Sequence, residues 1–128
     1  MLYAILIYAA EDVVEGMTPE EDDEHIEKHL ELQERLAAQN KLGPAVRLMP
    51  TRMARQLRTA GSPVVVDGPF AETKEQLLGL YVVDCASQDE AMSIARSLPT
   101  LGSIFEVRPV RRYIPGGTLP AEENPVTQ

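Results

Sequence analysis

Two histidines, one aspartate and a few aromatic and basic side chains carry most of the chemistry this sequence offers. His25 and His29 stand one helical turn apart in the run His25-Ile26-Glu27-Lys28-His29. Imidazole is the natural proton carrier near neutral pH. At about 100° per residue along a helix, His29 falls among Ile26, Leu30, Gln33 and Leu36, inside an apolar stripe, and His25 falls at its edge. An inward imidazole needs a hydrogen-bond partner. His29 therefore reads either as a satisfied core histidine or as an acid–base group. The i, i+4 spacing also suits metal ligation, with Asp22 on the same side of the helix. The run is not His-Glu-x-x-His, because Glu27 stands one position late and points away from both rings. A zinc site would need a third ligand from elsewhere, and neither a metal nor another cofactor is expected.

The second candidate is Asp67-Gly68-Pro69-Phe70. Asp67 ends a strand and begins a tight turn. Gly68 permits a positive φ or a close backbone approach, and Pro69 stiffens the chain. Taken locally, Asp67 reads as a residue capping its own turn. Cys85 follows a strand end; nothing nearby is basic enough to lower its pKa, so it reads as an inert thiol.

These groups must be held by elements, and the elements are legible. Leu2 to Tyr8 is an apolar strand pattern whose two alternating sets, Leu2, Ala4, Leu6, Tyr8 and Tyr3, Ile5, Ile7, are both apolar. A half-solvated strand would show one polar set, so both of its faces are expected to be covered. After a loop, Thr18, Pro19 and Glu21 form a capping box with proline at the first helical position. The helix should run from Pro19 to about Gln39, with Ile26, Leu30, Leu36 and Ala37 as its buried stripe and Asn40 or Gly43 as its stop. Ala45 to Met49 is a weak strand. Arg52 to Leu57 and Val64 to Val66 flank the turn signal Ala60-Gly61-Ser62-Pro63 and read as a hairpin. Leu77 to Asp84 is a second strand apolar on both sides. Ser87 and Glu90 cap a short helix whose stripe is Ala91, Ile94, Ala95 and Leu98, and Ser103 to Tyr113 closes the pattern as a strand.

Strand, helix, hairpin strands, strand, helix, strand is the order of an α+β, ferredoxin-like split βαβ fold with an antiparallel sheet and both helices on one face. The other face would then be bare. An apolar sheet face of that size is an association site. A homodimer with its sheets face to face, a dimeric α+β barrel, is the economical solution, and the pairing would form the crevice into which His29 points; the alternative is a helix or the tail folding over that face. Residues 1–113 form this domain. Residues 114–128 are a tail rich in Pro, Gly and polar residues that cannot build a core, placed loosely or against a partner chain.

Composition narrows the function. The chain has 128 residues, enough for one domain. Its 20 acidic residues against 12 basic ones give a formal charge of −8, which argues against a nucleic-acid-coating role. A single cysteine excludes an intrachain disulfide framework and fits a reducing compartment. No apolar run approaches the ~20 residues of a membrane span. Met1-Leu2-Tyr3-Ala4 lacks the basic start of a signal peptide. A cytoplasmic protein with neither a nucleic-acid nor a membrane partner is expected.

The stretch Val66-Asp67-Gly68-Pro69-Phe70-Ala71-Glu72-Thr73-Lys74-Glu75-Gln76-Leu77 resembles the signature of the DGPF group within the YciI-like (YCII-related) family. Tyr3 to Tyr8 is similar to that family's first strand, His29 matches its histidine, and Phe105-Glu106-Val107-Arg108-Pro109 resembles its closing strand. The resemblance covers residues 1–113 and implies the dimeric α+β barrel reached above. It also implies a bacterial protein with a His–Asp active site at the barrel edge and elimination (lyase) chemistry on a small molecule. Some members are linked to sigma factors, so a non-catalytic module binding a small ligand or such a protein is the alternative. Where the family places an Asp near the end of the first helix, this chain has Ala38-Gln39-Asn40, which leaves Asp67 as the carboxylate for His29. On this reading Asp67 orients His29, the imidazole takes a proton, Lys74 holds an anionic group, Tyr8 or Tyr81 bonds an oxygen, and Phe70 walls the site. Leu80 stands where the family has a second glycine and would narrow the pocket.

Overall fold

The computed structural model describes residues 1–68, 74–117 and 119–123. The elements are β1 (Leu2–Ala9), α1 (Glu11–Glu15), α2 (Pro19–Ala38), β2 (Leu42–Arg47), a 3-10 turn (Thr51–Met53), β3 (Arg55–Arg58), β4 (Val64–Asp67), β5 (Gln76–Asp84), α3 (Gln88–Arg96) and β6 (Ile104–Pro109). Four strands form one antiparallel sheet in the order β2-β5-β1-β6, and β3–β4 forms a separate hairpin. β5 lies between β1 and β2, and β1 lies between β5 and β6. Each helix thus bridges two strands with a third between them, which is the ferredoxin-like, split βαβ topology.

The capping box at Thr18 forms as read, whereas the capping box expected at Ser87 forms only in its serine half, because the Glu90 carboxylate accepts from Ala86 N–H instead. Thr18 Oγ1 accepts from Glu21 N–H at 3.1 Å and Glu21 Oε1 accepts from Thr18 N–H at 3.0 Å, so α2 starts at Pro19. It ends at Ala38, and Asn40 follows at φ 57°, the left-handed conformation that Asn tolerates. Ser87 Oγ accepts from Glu90 N–H and starts α3.

The buried line of α2 differs from the expected one. Leu32 and Leu36 are buried, whereas Leu30 is 56 % exposed and Ala37 is exposed. Positions 25, 29, 32 and 36 share one side at the 3.6-residue period, so the inward line begins with two histidines and ends with two leucines. Apolar spacing alone points toward Leu30 because it passes over the two histidines. No local pattern announces α1. That helix is a little over one turn, too short for propensity to hold. It is held tertiarily: Glu11 N–H donates to Gln76 Oε1, and the Glu11 carboxylate accepts from Thr51 N–H.

Both helices pack on one face of the sheet. Tyr3, Ile5, Tyr81 and Val83 meet Leu32, Leu36, Ala91, Ile94, Ala95 and Leu98 in one core, flanked by Ile7, Leu42, Phe105 and Val107. Side chains alternate along a strand, and the register places Ala4 opposite Val82, Leu6 opposite Leu80 and Tyr8 opposite Ile104 on the other face. Val46, opposite Leu80, joins them. Val46 is 46 % and Ile104 52 % exposed, so this second apolar face is open.

Candidate functional site

Tyr81 builds the site from the sheet side. Its ring lies in the core, opposite Ile5 on β1 and Ala45 on β2, and the residue is only 3 % exposed. Its hydroxyl meets α2, where the inward line of that helix turns polar. His29 Nδ1 lies 2.8 Å from Tyr81 Oη, and Gln33 Nε2 donates to the same oxygen at 2.9 Å. The other ring nitrogen of His29, Nε2, lies 3.2 Å from Nε2 of His25. The two imidazoles meet edge to face, with centroids 4.8 Å apart. One proton assignment satisfies every group. Gln33 donates to Tyr81 Oη, Tyr81 donates to His29 Nδ1, and His29 Nε2–H donates to His25 Nε2.

Electrostatics keeps this row neutral. Burial lowers the pKa of His29 to about 4, with His25 and the Arg47 guanidinium acting in the same direction. Burial also lowers the pKa of His25, as do Arg47 and Lys28, and Asp22 opposes them. The Tyr81 hydroxyl is pushed up by burial, against the bond from Gln33. Arg47 sits beside the pair because β2 lies tight against β5. It pairs with Gly79, where an added Cβ would come within 2.2 Å of the Val46 carbonyl oxygen, so only glycine permits the approach. Its guanidinium donates to Asp22 Oδ1 at 3.1 Å. Arg47 is a site residue that sequence reasoning missed. Its position follows from a long-range strand pairing that no local spacing announces. The place of Gln33 was readable from its spacing to His29, but its partner on β5 was not.

The structure brings together His29 and Tyr81 of the residues selected from sequence. Asp67 stands elsewhere. It pairs with Arg55 across the β3–β4 hairpin, and Arg55 Nε donates to Asp67 Oδ1 at 2.9 Å with both side chains exposed. The hydrogen bonds of His29 go to Tyr81 and His25, so the orienting position beside its Nδ1 is taken by a phenol rather than by that carboxylate. Gly68 makes the close approach expected of it: its N–H donates to the Ala54 carbonyl at 2.7 Å, and a Cβ there would meet the Thr51 oxygen at 1.9 Å. Lys74 is exposed in a bend just before β5. Phe70 lies outside the described residues.

Tyr8 and Leu80 lie on the open face, the opposite side of the sheet from Tyr81. Leu80 therefore does not narrow the space beside His29, because neighbouring strand positions point to opposite faces. For the same reason, pairing of the open faces would not form the crevice into which His29 points. A groove of about 540 Å³ between α2 and the end of α3, with Lys28, Arg35 and Ser97 among its walls, takes in none of these residues. Cys85 is buried, and its thiol is pushed up by burial and by Glu90 beside it, which fits an inert role.

Residues 1–114 match the family model described as the YCII-related domain. A protein of Rhizobium meliloti (strain 1021), described as uncharacterized, is 50% identical over 121 residues, covering 91% of this chain and 97% of that protein. The chain belongs to the YCII-related family.

Proposed function

We propose, from the premise that this is a YCII-related protein, that it is a small-molecule enzyme of the elimination (lyase) class in which His29 moves the proton. The observation that carries this reading is the row Gln33–Tyr81–His29–His25, which holds a neutral imidazole in a fixed orientation. Tyr81 takes the orienting part that the sequence suggested for Asp67. In the tautomer with its proton on Nδ1, against Tyr81 Oη, and with Nε2 released by His25, an imidazole so oriented is the arrangement of a general base.

The cations beside the rings point to an anionic substrate. Arg47 and Lys28 depress the basicity of the pair. Burial is the largest cause of the low basicity of His29 and Arg47 a smaller one, so a carboxylate or similar anion bound at Arg47 raises His29 part of the way toward the range where it works as a base. His29 then takes a proton from the carbon next to the one bearing the leaving group. The C–H electron pair becomes the new double bond, the leaving group departs with its bonding electrons, and the imidazolium returns the proton to it or to water. Acid–base help of this kind contributes about 10²–10⁴-fold in rate.

We also propose that two copies pair their open faces. Ala4, Leu6, Leu80, Val82, Val46 and Ile104 form the contact, and burying it removes apolar area from water at roughly 25 cal/mol per Å². The pairing stabilises the sheet that carries Tyr81 and leaves the His29 side free for substrate.

The test uses a panel of small carboxylates bearing a leaving group two carbons from the acid group, with unsaturated product followed by absorbance. The wild-type chain should turn over at least one of them. His29→Ala should lose about 100-fold or more on the same compound, with its circular dichroism unchanged. Equal rates in the two proteins would remove His29 from the chemistry.

A further inference from the structure

We propose that the β3–β4 hairpin is an arm that clasps a second copy of this chain, lying along the partner's β6. The inference rests on the open-face pairing proposed above and adds the segment that locks it. The hairpin forms a sheet of its own. A sheet of two strands is marginal in water unless a third strand or a packed face supports it. Cross-strand partners share a face, so Arg55, Asp67, Leu57 and Val65 stand on one face and Gln56, Val66, Arg58 and Val64 on the other. Every residue of the first face is exposed, Leu57 at 64 % and Val65 at 54 %. Val66, the half-buried residue of these strands, lies on the second. The Leu57 face is thus the one left without cover.

Charge and spacing select a second copy as what covers it. The open sheet face carries an ion pair at its β6 edge, where Arg108 Nε lies 3.4 Å from Glu106 Oε2. Glu106 stands opposite Leu6 and Ile104 opposite Tyr8, so Glu106 and Ile104 are neighbours on that face. Arg55 and Leu57 are neighbours on the uncovered face of the hairpin. Both steps are two residues of extended chain, about 6.6 Å. Laid antiparallel on the partner's β6, β3 sets Arg55 against the partner's Glu106 and Leu57 against the partner's Ile104 in one register. The opposite direction would press Leu57 onto the partner's Arg108, so direction is fixed as well.

Symmetry brings the two segments within reach. β2 and β6 are the two edges of the sheet. A two-fold axis between the paired sheets and parallel to their strands lays β2 of one copy over the partner's β6, with corresponding ends level. The chain leaves β2 at Arg47, opposite Gly79, and Gly79 pairs with Ile7. Ile104 pairs with Tyr8, the next residue of β1, so the arm departs at the end of the sheet where the partner's Ile104 lies. Exposed Val46 and Leu48 carry apolar surface from the open face toward the arm. The contact is isologous, so each copy gives one arm and receives one.

The test is sedimentation equilibrium of the full chain over a dilution series, with circular dichroism as the control for folding. The wild-type chain should be a dimer. One variant reverses the hairpin pair, Arg55→Asp with Asp67→Arg, and a second reverses the β6 pair, Glu106→Arg with Arg108→Glu. Each keeps an ion pair within its own chain and sets like charges against each other between copies. Each should weaken the dimer by at least about tenfold, because like charges juxtaposed across an interface are costly. The chain carrying both reversals faces opposite charges again and should recover the dimer. Reversals that associate as tightly as the wild-type chain would overturn the arm and leave the open-face pairing standing, which Leu6→Glu tests separately. A doubly reversed chain no tighter than either single reversal would also overturn it. A monomeric wild-type chain would overturn the pairing and the arm together.

Discussion

The two faces of the four-stranded sheet are built from the same kinds of residue and do opposite work. On the face under the helices, Ile5 and Val83 are fully buried and Tyr81 carries a hydroxyl that organises two imidazoles. On the other face, Leu6 and Leu80 stand opposite each other and are only partly buried. Consecutive residues such as Ile5 and Leu6 differ little in chemistry and entirely in surroundings. The polar site therefore belongs to the rigid, filled side of the molecule, while the bare apolar side is available for association. On the proposed reading, chemistry and assembly are separated by the thickness of one sheet.

Substitutions at neighbouring positions should break this contrast. The largest effect is expected from Ile5→Ala, which leaves a cavity in the filled face and should cost about 2–5 kcal/mol in urea denaturation at any protein concentration. Leu6→Glu, one residue along, should leave the fold of the chain intact by circular dichroism but halve the mass seen by light scattering. Equal, concentration-independent losses at the two positions would erase the distinction between the faces. A smaller effect is expected at Tyr81→Phe. Removing the hydroxyl strands His29 Nδ1 and the Gln33 amide, at about 1–3 kcal/mol if neither finds water.

Acid should act on the same face. His29 has its folded pKa depressed to about 4 from an ordinary 6.5, so between these values the unfolded chain binds a proton that the folded chain refuses. Stability from this group is complete above pH 6.5 and is lost as pH falls toward 4. Stability measured across that window should fall less steeply in His29→Gln than in the wild-type chain. The smallest effect is expected at Asp67→Asn. Its partner Arg55 is exposed and so is Asp67 itself, and exposed pairs contribute about 0–1 kcal/mol.

The order of elements was readable because local signals carried it. Thr18 and Glu21, Ser87 and Glu90, and the turn at Ala60–Pro63 each act through residues close in the chain. β1 and β5 announced that both of their faces are apolar, but a period of two does not say which set meets the helices. That choice depends on where α2 lands, and it decided that Tyr81 joins His29 while Tyr8 lies on the far side. The partner of Asp67 was in principle available, since a hairpin turning at residues 60–63 sets Arg55 opposite Asp67. The position of Arg47 was not, because it rests on the approach of β2 to Gly79 across a long stretch of sequence.

The most direct test is an NMR titration of the His29 ring in the wild-type chain, in Asp67→Asn and in His25→Ala. Held against Tyr81 in the helix–sheet interface, His29 should protonate at about 4 in the wild-type chain. It should be unmoved by Asp67→Asn and should shift upward in His25→Ala, where a neighbour that disfavours its charge is gone. An ordinary imidazole titration that drops when Asp67 loses its charge would instead place the carboxylate beside the ring and contradict the arrangement described.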